Sequence, residues 1–377
     1  MKRQIFSIAI FFISSIAFSQ ERWTEPVTLV ESHGRLAIGN SLHIVGHIGK
    51  NLVHRYSRDN GATWTSPTII GKASENYPMQ YGGLFAQGNM VYLITAAGDM
   101  GGREQHVDFR KSSDNGLTWS KPIRITSDET LLRRARIVAY KNNIHIAGLG
   151  AAEKGFVAYF RSTDGGISWQ KGQLLVEDLG KYGGGQTIAV DKNSLHLAYT
   201  KVRTGVGGGD TYYIRSSDNG RSWSSAILIG ENSRESDRQA RAQVMAKNNK
   251  VLVFWQREAD STGLPIPLDR LGYNRSVDNG RTWSGVKILP DDHGTNREHQ
   301  HIWMSETEKV HICWYTGENF VGYKYSPDFG RTWMSSEIAI KGNQATVPYS
   351  IVADKHWVHI LSGPMGGFLY SRKRLKK

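Results

Sequence analysis

Cysteine is nearly absent from this 377-residue chain, where Cys313 stands alone. A single thiol excludes an internal disulfide framework and any metal site built from several cysteines. Proline is sparse at 10 residues, and the 34 acidic residues are outnumbered by 47 basic ones, for a formal charge of +13. The hydrophobic fraction of 39% is that of an ordinary globular chain and too high for a disordered one. No apolar run reaches the length of a membrane span. The conspicuous one, Ile5 to Ile16, follows Lys2 and Arg3 and precedes Ala17-Phe18-Ser19, the pattern of a secretory signal peptide. We expect residues 1–19 to be removed, residues 20–377 to form one domain, and the protein to be exported, periplasmic or secreted, with no membrane anchor.

A repeat dominates the rest. The pattern Ser-x-Asp-x-Gly-x-(Thr/Ser)-Trp occurs at 57–64, 112–119, 162–169, 216–223, 276–283 and 326–333, with Ser-to-Ser spacings of 50 to 60 residues. In each copy the Asp can accept hydrogen bonds from turn N–H groups, the Gly can supply a positive φ, and the Trp can pack under a neighbour. The stretches before it (NLVHRYS, TYYIRS, RLGYNRS) and after it (SKPIRIT, SSAILIG) alternate as strands do. A calcium loop would need a bidentate Glu at its end, which is missing, so the element reads as a hairpin turn.

Between copies lies a second strand pair, for example ARIVAYKNNIHIAG and QTIAVDKNSLHLAY. Each unit therefore has four strands, A to D, with the turn between C and D, which is a propeller blade. The A–B pair occurs seven times, the last at 346–371 without a D strand, whereas Arg22 to Val30 matches the D strand that follows every turn. The expected fold is an all-β, seven-bladed β-propeller whose N-terminal strand completes the last blade and removes the open edge.

These turns resemble the Asp-box, or bacterial neuraminidase repeat, superfamily, and the resemblance spans residues 20–377. It implies sialidases with six blades, seven-bladed uronate-acting polysaccharide lyases such as ulvan lyases, related glycosidases, and non-enzymatic members. The layout here is closer to the lyases. A sialidase is implied to hold its substrate with an Arg-Ile-Pro segment near the first blade, where this chain has Gly34-Arg35-Leu36.

Subtracting the repeats isolates the candidate site. Trp64, Trp119, Trp169, Trp223, Trp283 and Trp333 sit in the turns, Trp23 is the remnant of a seventh, and His43, His145, His196, His311 and His359 share one B-strand position, so all are scaffold. The D–A and B–C connections should form the pocket face. There the A strands open with His33 and Arg35, Tyr77 and Tyr81, Arg134 and Arg136, Gln186, Arg241, His299 and His301, and Tyr349. His47, Trp255 and Arg257 lie on the B–C side. This cationic lining favours an anionic ligand, because guanidinium matches carboxylate or sulfate.

The lyase resemblance implies a His opening an A strand facing a His that ends the B strand, with a Tyr on the next A strand and a nearby Arg. His33, His47 and Tyr77 occupy those places, though no Asp-His-Asn string surrounds His33. We therefore expect elimination from a uronic acid of a sulfated, ulvan-like poly- or oligosaccharide: His33 or His47 removes the C5 proton, and Tyr77 or Tyr349 protonates the C4 oxygen. His299 is a further catalytic candidate, and Arg35, Tyr81, Arg136, Gln186, Arg241, Arg257 and His301 are candidates for binding. A sialidase-type exo-glycosidase and a non-catalytic acidic-glycan-binding propeller are the alternatives. His299-x-His301 places two imidazoles on one strand face without an identifiable third ligand, so no metal and no cofactor is expected. A monomer is expected, and nucleic acid is not an expected partner, since the only dense basic run is the C-terminal Arg372-Lys373-Arg374 with Lys376-Lys377.

Overall fold

The computed structural model describes residues 22–29, 32–72, 79–97, 106–126, 132–150, 155–180, 184–202, 209–230, 241–257, 270–290, 298–316, 319–342, 346–363 and 367–375. Within that set the chain is all β. Its 28 strands form seven four-stranded antiparallel sheets, six of them in the chain order A-B-C-D. The seventh is made from both ends of the described chain. Val27–Leu29 pairs antiparallel with the C strand of blade 7, Phe368–Arg374, with Val27 opposite Tyr370 and Leu29 opposite Phe368. The seven-bladed propeller, with its ring closed by the N-terminal strand, is thus as the repeat count requires.

The inter-blade packing follows from the turn motif. In all six turns the Gly has φ between 74° and 86°, and the residue before it is also left-handed, as in Asn60 and Gly61. Two consecutive left-handed residues favour Asn-Gly or Gly-Gly. The Ser hydroxyl donates to the Asp and accepts from the Gly N–H, while the Asp carboxylate accepts from the backbone and hydroxyl of the Thr or Ser four residues on, as in Ser57, Asp59, Gly61 and Thr63. These bonds hold the turn rigid, and the Trp edge then meets a C-strand ring of the preceding blade. All seven contacts recur, from Trp23 on Tyr323 through Trp283 on Tyr213, with centroids 4.8 to 5.8 Å apart and T-shaped geometry.

The B-strand histidines complete this chain of contacts. Nδ1 of His145, His196, His311 and His359 hydrogen-bonds the Tyr hydroxyl of its own blade at 2.6 to 2.7 Å, and in blade 1 His54 takes the Tyr's place beside His43. Each Tyr in turn backs the Gly or Trp of the next blade. The five histidines are scaffold, as their repetition indicates. C-strand cations do similar work: Lys111, Arg161, Arg275 and Arg372 each donate to a backbone carbonyl in the next blade's turn. Part of the chain's positive charge is therefore structural.

Candidate functional site: the inner-strand ring

The A strands surround the axis: Ser32–Ile38, Met79–Gln87, Leu132–Tyr140, Gly184–Asp191, Gln243–Lys247, Glu298–Met304 and Val347–Ala353. Together they line a cavity of about 1080 Å³. Register fixes one aliphatic residue per strand at a common level: Leu36, Leu84, Ile137, Ile188, Val244, Ile302 and Ile351 pair with Ile44, Leu93, Ile146, Leu197, Val253, Ile312 and Ile360. The residues just before it carry the chemistry. They are Arg35, Gly83, Arg136, Thr187, Gln243, His301 and Ser350 at one level, and Gly34, Gly82, Ala135, Gln186, Ala242, Gln300 and Tyr349 at the level above.

A bulge produces this ring. The A–B ladder slips between Ser32 and Arg35, Tyr81 and Gly83, Arg133 and Arg136, Gly184 and Thr187, Glu298 and His301, and Pro348 and Ser350. In blade 5 the ladder begins at Gln243, directly after Arg241 and Ala242. Bulges re-aim side chains and recur beside active sites. Arg134 and Arg241 adopt φ of 50° and 40°, a conformation that costs a non-glycine residue about 1 kcal/mol or more.

Polar side chains of the ring stitch neighbouring blades together. Arg35 Nη1 donates to Tyr349 O of blade 7 at 2.8 Å, and Arg136 Nη1 to Gly82 O of blade 2 at 2.9 Å. Gln186 Nε2 donates to Arg134 O at 2.9 Å, and Gln243 Nε2 to Gln300 O at 3.0 Å. Gly82 and Gly83 permit the close approach of blade 3, since a Cβ on them would lie 3.0 Å from Ala135 O and 3.2 Å from the Ile137 side chain.

Basic side chains of blades 1, 3, 5 and 6 line the ring. Burial of its guanidinium, reinforced by the like charges of Arg35 and Arg134, pushes the Arg136 pKa down to about 9. That is a concentration of positive charge held against its own repulsion. Blades 4 to 6 add the amides Gln186, Gln243 and Gln300 beside Arg241 and His301. Among the described residues the carboxylates lining the cavity, Asp191, Glu306 and Asp354, lie at or beside the A–B turns, at the other end. Tyr349 packs edge-on against Phe368 at 5.5 Å. Burial raises its pKa, and Arg35 opposes that rise in part.

Of the sequence-derived candidates, Arg35, Arg136, Gln186, Arg241 and His301 line the cavity together. Tyr349 lies beside it through its carbonyl bond to Arg35. His47 ends the B strand of blade 1 opposite Ser32, so the backbone sets His33 and His47 at the same end of one blade. Tyr77 lies outside the described residues, and for His33, Tyr81, Arg257 and His299 only the strand position is described. Trp255, expected at the pocket wall, is instead fully buried against Gly230 and Gly272. Gln243 and Gln300 were missed as candidates. Aligning the seven A strands on their common aliphatic residue would have found them.

The cavity and its ring agree with what comparison to known proteins gives. The BNR repeat-like domain family matches residues 51–312. No curated protein matches the chain in sequence. Among solved structures, a polysaccharide lyase, an ulvan lyase, superposes with a TM-score of 0.60 at 10% identity, covering 93% of each chain. An alpha-L-arabinofuranosidase of Fusarium graminearum with arabinobiose gives 0.55 at 14% identity over 81% of this chain and 95% of its own. A Hadza microbial sialidase gives 0.51 at 15% identity over 92% and 66%. At such identities the likeness is one of fold, whereas the repeat match covers more than half the sequence: the chain belongs to the BNR repeat-like domain family.

Proposed function

We propose that the protein is a carbohydrate-active enzyme that binds an acidic saccharide at the inner-strand ring and acts on a uronic acid residue by elimination. The observation that carries this reading is the gathering of Arg35, Arg134 and Arg136 at the openings of blades 1 and 3, where burial of Arg136, and after it the like charges of Arg35 and Arg134, depress the Arg136 pKa. A carboxylate or sulfate relieves that repulsion and matches the planar guanidinium fork. The structural neighbours support a glycan substrate, since a lyase, an arabinofuranosidase and a sialidase all share this fold.

The chemistry then follows from the groups at hand. Arginine paired with the uronate carboxylate stabilises the enolate-like charge that develops as the C5 proton leaves. A neutral imidazole, His47 or His33, accepts that proton near neutral pH. The C5–H electrons form the C4=C5 bond, and the C4–O bond breaks. Tyr349, whose raised pKa keeps its phenol protonated at neutral pH, gives its proton to the departing oxygen. If that oxygen belongs to a sugar the enzyme is a lyase, and if it is a hydroxyl, a dehydratase. Elimination is favoured over hydrolysis by two carboxylates, because the carboxylates described along the cavity stand at its opposite end.

Incubation with uronate-containing oligosaccharides tests the reading. The ultraviolet absorbance of a C4=C5 unsaturated uronate should rise with time. Release of reducing sugar without that absorbance would replace elimination with hydrolysis.

A further inference from the structure

One residue further toward the openings of the A strands, at the third position before the common aliphatic residue, blades 3, 4 and 5 carry Arg134, Gly185 and Arg241. All three are left-handed, with φ of 50°, 61° and 40°. Glycine adopts that conformation freely and arginine does not, so two blades keep a strained arginine where the blade between them has glycine. Strained residues of this kind cluster at active sites and ligand clamps. Both arginine side chains are exposed and line the cavity, and that of Arg241 makes neither a hydrogen bond nor an ion pair among the described residues. Blade 4 holds both from between. Its Gln186 Nε2 donates to Arg134 O at 2.9 Å, and its Thr187 hydroxyl accepts from Val244 N at 2.7 Å, three residues after Arg241. Gly185 lies so close to blade 5 that a Cβ on it would stand 2.6 Å from Arg241 Cα.

We propose that Arg134 and Arg241 are the two arms of an anion clamp that spans blade 4, with the acidic group of the saccharide over Gly185 between their guanidinium groups. This rests on the reading of the cavity as an acidic-saccharide site, and it adds the arginine of blade 5 to those of blades 1 and 3. The missing side chain at Gly185 leaves room for the anion, and a guanidinium on either side offers planar pairs of donors to its oxygens. Arg35 and Arg136 differ from these arms, since each spends an Nη1 on a carbonyl of a neighbouring blade. The charge of Arg136 sits close enough to Arg134 for the two to repel, and an anion held by the clamp offsets that repulsion. The acidic group is then fixed on one side of the axis, over blades 3 to 5. Blades 7 and 1, which carry Tyr349 and His47, stand across the axis from it.

Calorimetric binding of methyl glucuronide, which carries a single acidic group, tests the clamp, with methyl glucoside as the uncharged control. Arg134→Gly and Arg241→Gly should each weaken glucuronide binding about tenfold or more, the worth of a charge-assisted hydrogen bond, and leave glucoside binding unchanged. Neither should lower Tm by more than about 1 °C, because relief of the left-handed strain offsets the entropy that glycine adds to the unfolded chain. An arginine kept for structure would show the opposite pattern, a fall in Tm with glucuronide affinity retained, and that result overturns the clamp. A loss confined to one of the two variants also overturns it, since a single carboxylate gripped by both arms must feel the removal of either. Failure of the wild-type protein to bind glucuronide in preference to glucoside would overturn the acidic-saccharide reading itself, and the clamp with it.

Discussion

Tyr213 shows how one side chain can serve two blades. Its hydroxyl hydrogen-bonds His196 Nδ1 at 2.6 Å within blade 4, and its ring meets Trp283 of blade 5 at 4.8 Å. Tyr213→Phe keeps the ring contact and strands a fully buried imidazole nitrogen, so chemical denaturation should show a loss of about 1–2 kcal/mol. Gly280 has less latitude. A Cβ there would stand 1.9 Å from the Tyr213 hydroxyl, on a residue whose φ is 77°. Gly280→Ala should therefore cost more than Tyr213→Phe, about 3 kcal/mol or more. Both roles were legible in the sequence, because the turn motif and the B-strand His recur at fixed offsets and each copy corroborates the others. What repetition cannot show is a residue that differs in every blade, and the ring residues are of that kind. His47 and Arg35 stood out by residue type, whereas Gln243 and Gln300 look like ordinary polar strand residues until their register is known.

At the scale of the strand, the bulge that opens the A strands is what turns a scaffold element into a candidate site. It breaks strict alternation, which is why a period-two reading of SHGRLAI or EHQHIWM does not reveal which residues share a level. It also sets Arg136 where its guanidinium reaches Gly82 O while remaining under the influence of Arg35 and Arg134. Arg136→Met should reduce affinity for methyl glucuronide by at least about tenfold, given the strength of charge-assisted pairs with carboxylate. Methyl glucoside, which lacks the carboxylate, serves as the control. Unchanged glucuronide affinity in a folded variant would reduce Arg136 to a blade-to-blade brace.

For the whole molecule, closure and acidity are the two sensitive points. Leu29, 4% exposed in the core between blades 7 and 1, belongs to the short strand that joins the two ends of the ring. Leu29→Ala should lower global stability by about 2–4 kcal/mol, measured by urea unfolding, although it lies far from the chain's middle. Acid acts on many blades at once. Burial holds the pKa of His43 and His196 at about 4, and of His54, His145, His311 and His359 at about 3, against an ordinary value of 6.5. Between those limits the unfolded chain takes up protons that the folded one refuses, so stability falls as pH drops below 6.5 and continues to fall toward the folded values. Each such histidine contributes a slope of roughly 1.4 kcal/mol per pH unit in that window. The turn aspartates add a further loss at lower pH. Hydrogen bonds from Thr63 and Thr118 hold Asp59 and Asp114 at about 2 against 3.8, so their contribution is complete above 3.8 and disappears as pH falls toward 2. Thermal unfolding between pH 7 and pH 4 should show Tm dropping steadily. A flat profile over that interval would mean the B-strand histidines are not neutral and buried as described.

The central claim concerns the ring itself: guanidinium groups of blades 1 and 3 receive the acidic group of a saccharide. A crystal structure of the protein with a bound uronate-containing disaccharide tests this most directly. The account predicts the carboxylate within hydrogen-bonding distance of Arg35, Arg134 or Arg136, with Tyr349 and His47 on the side of the C4–O and C5–H bonds. A carboxylate bound at the turn face, or arginines that make no contact with a sugar lying elsewhere, would contradict it.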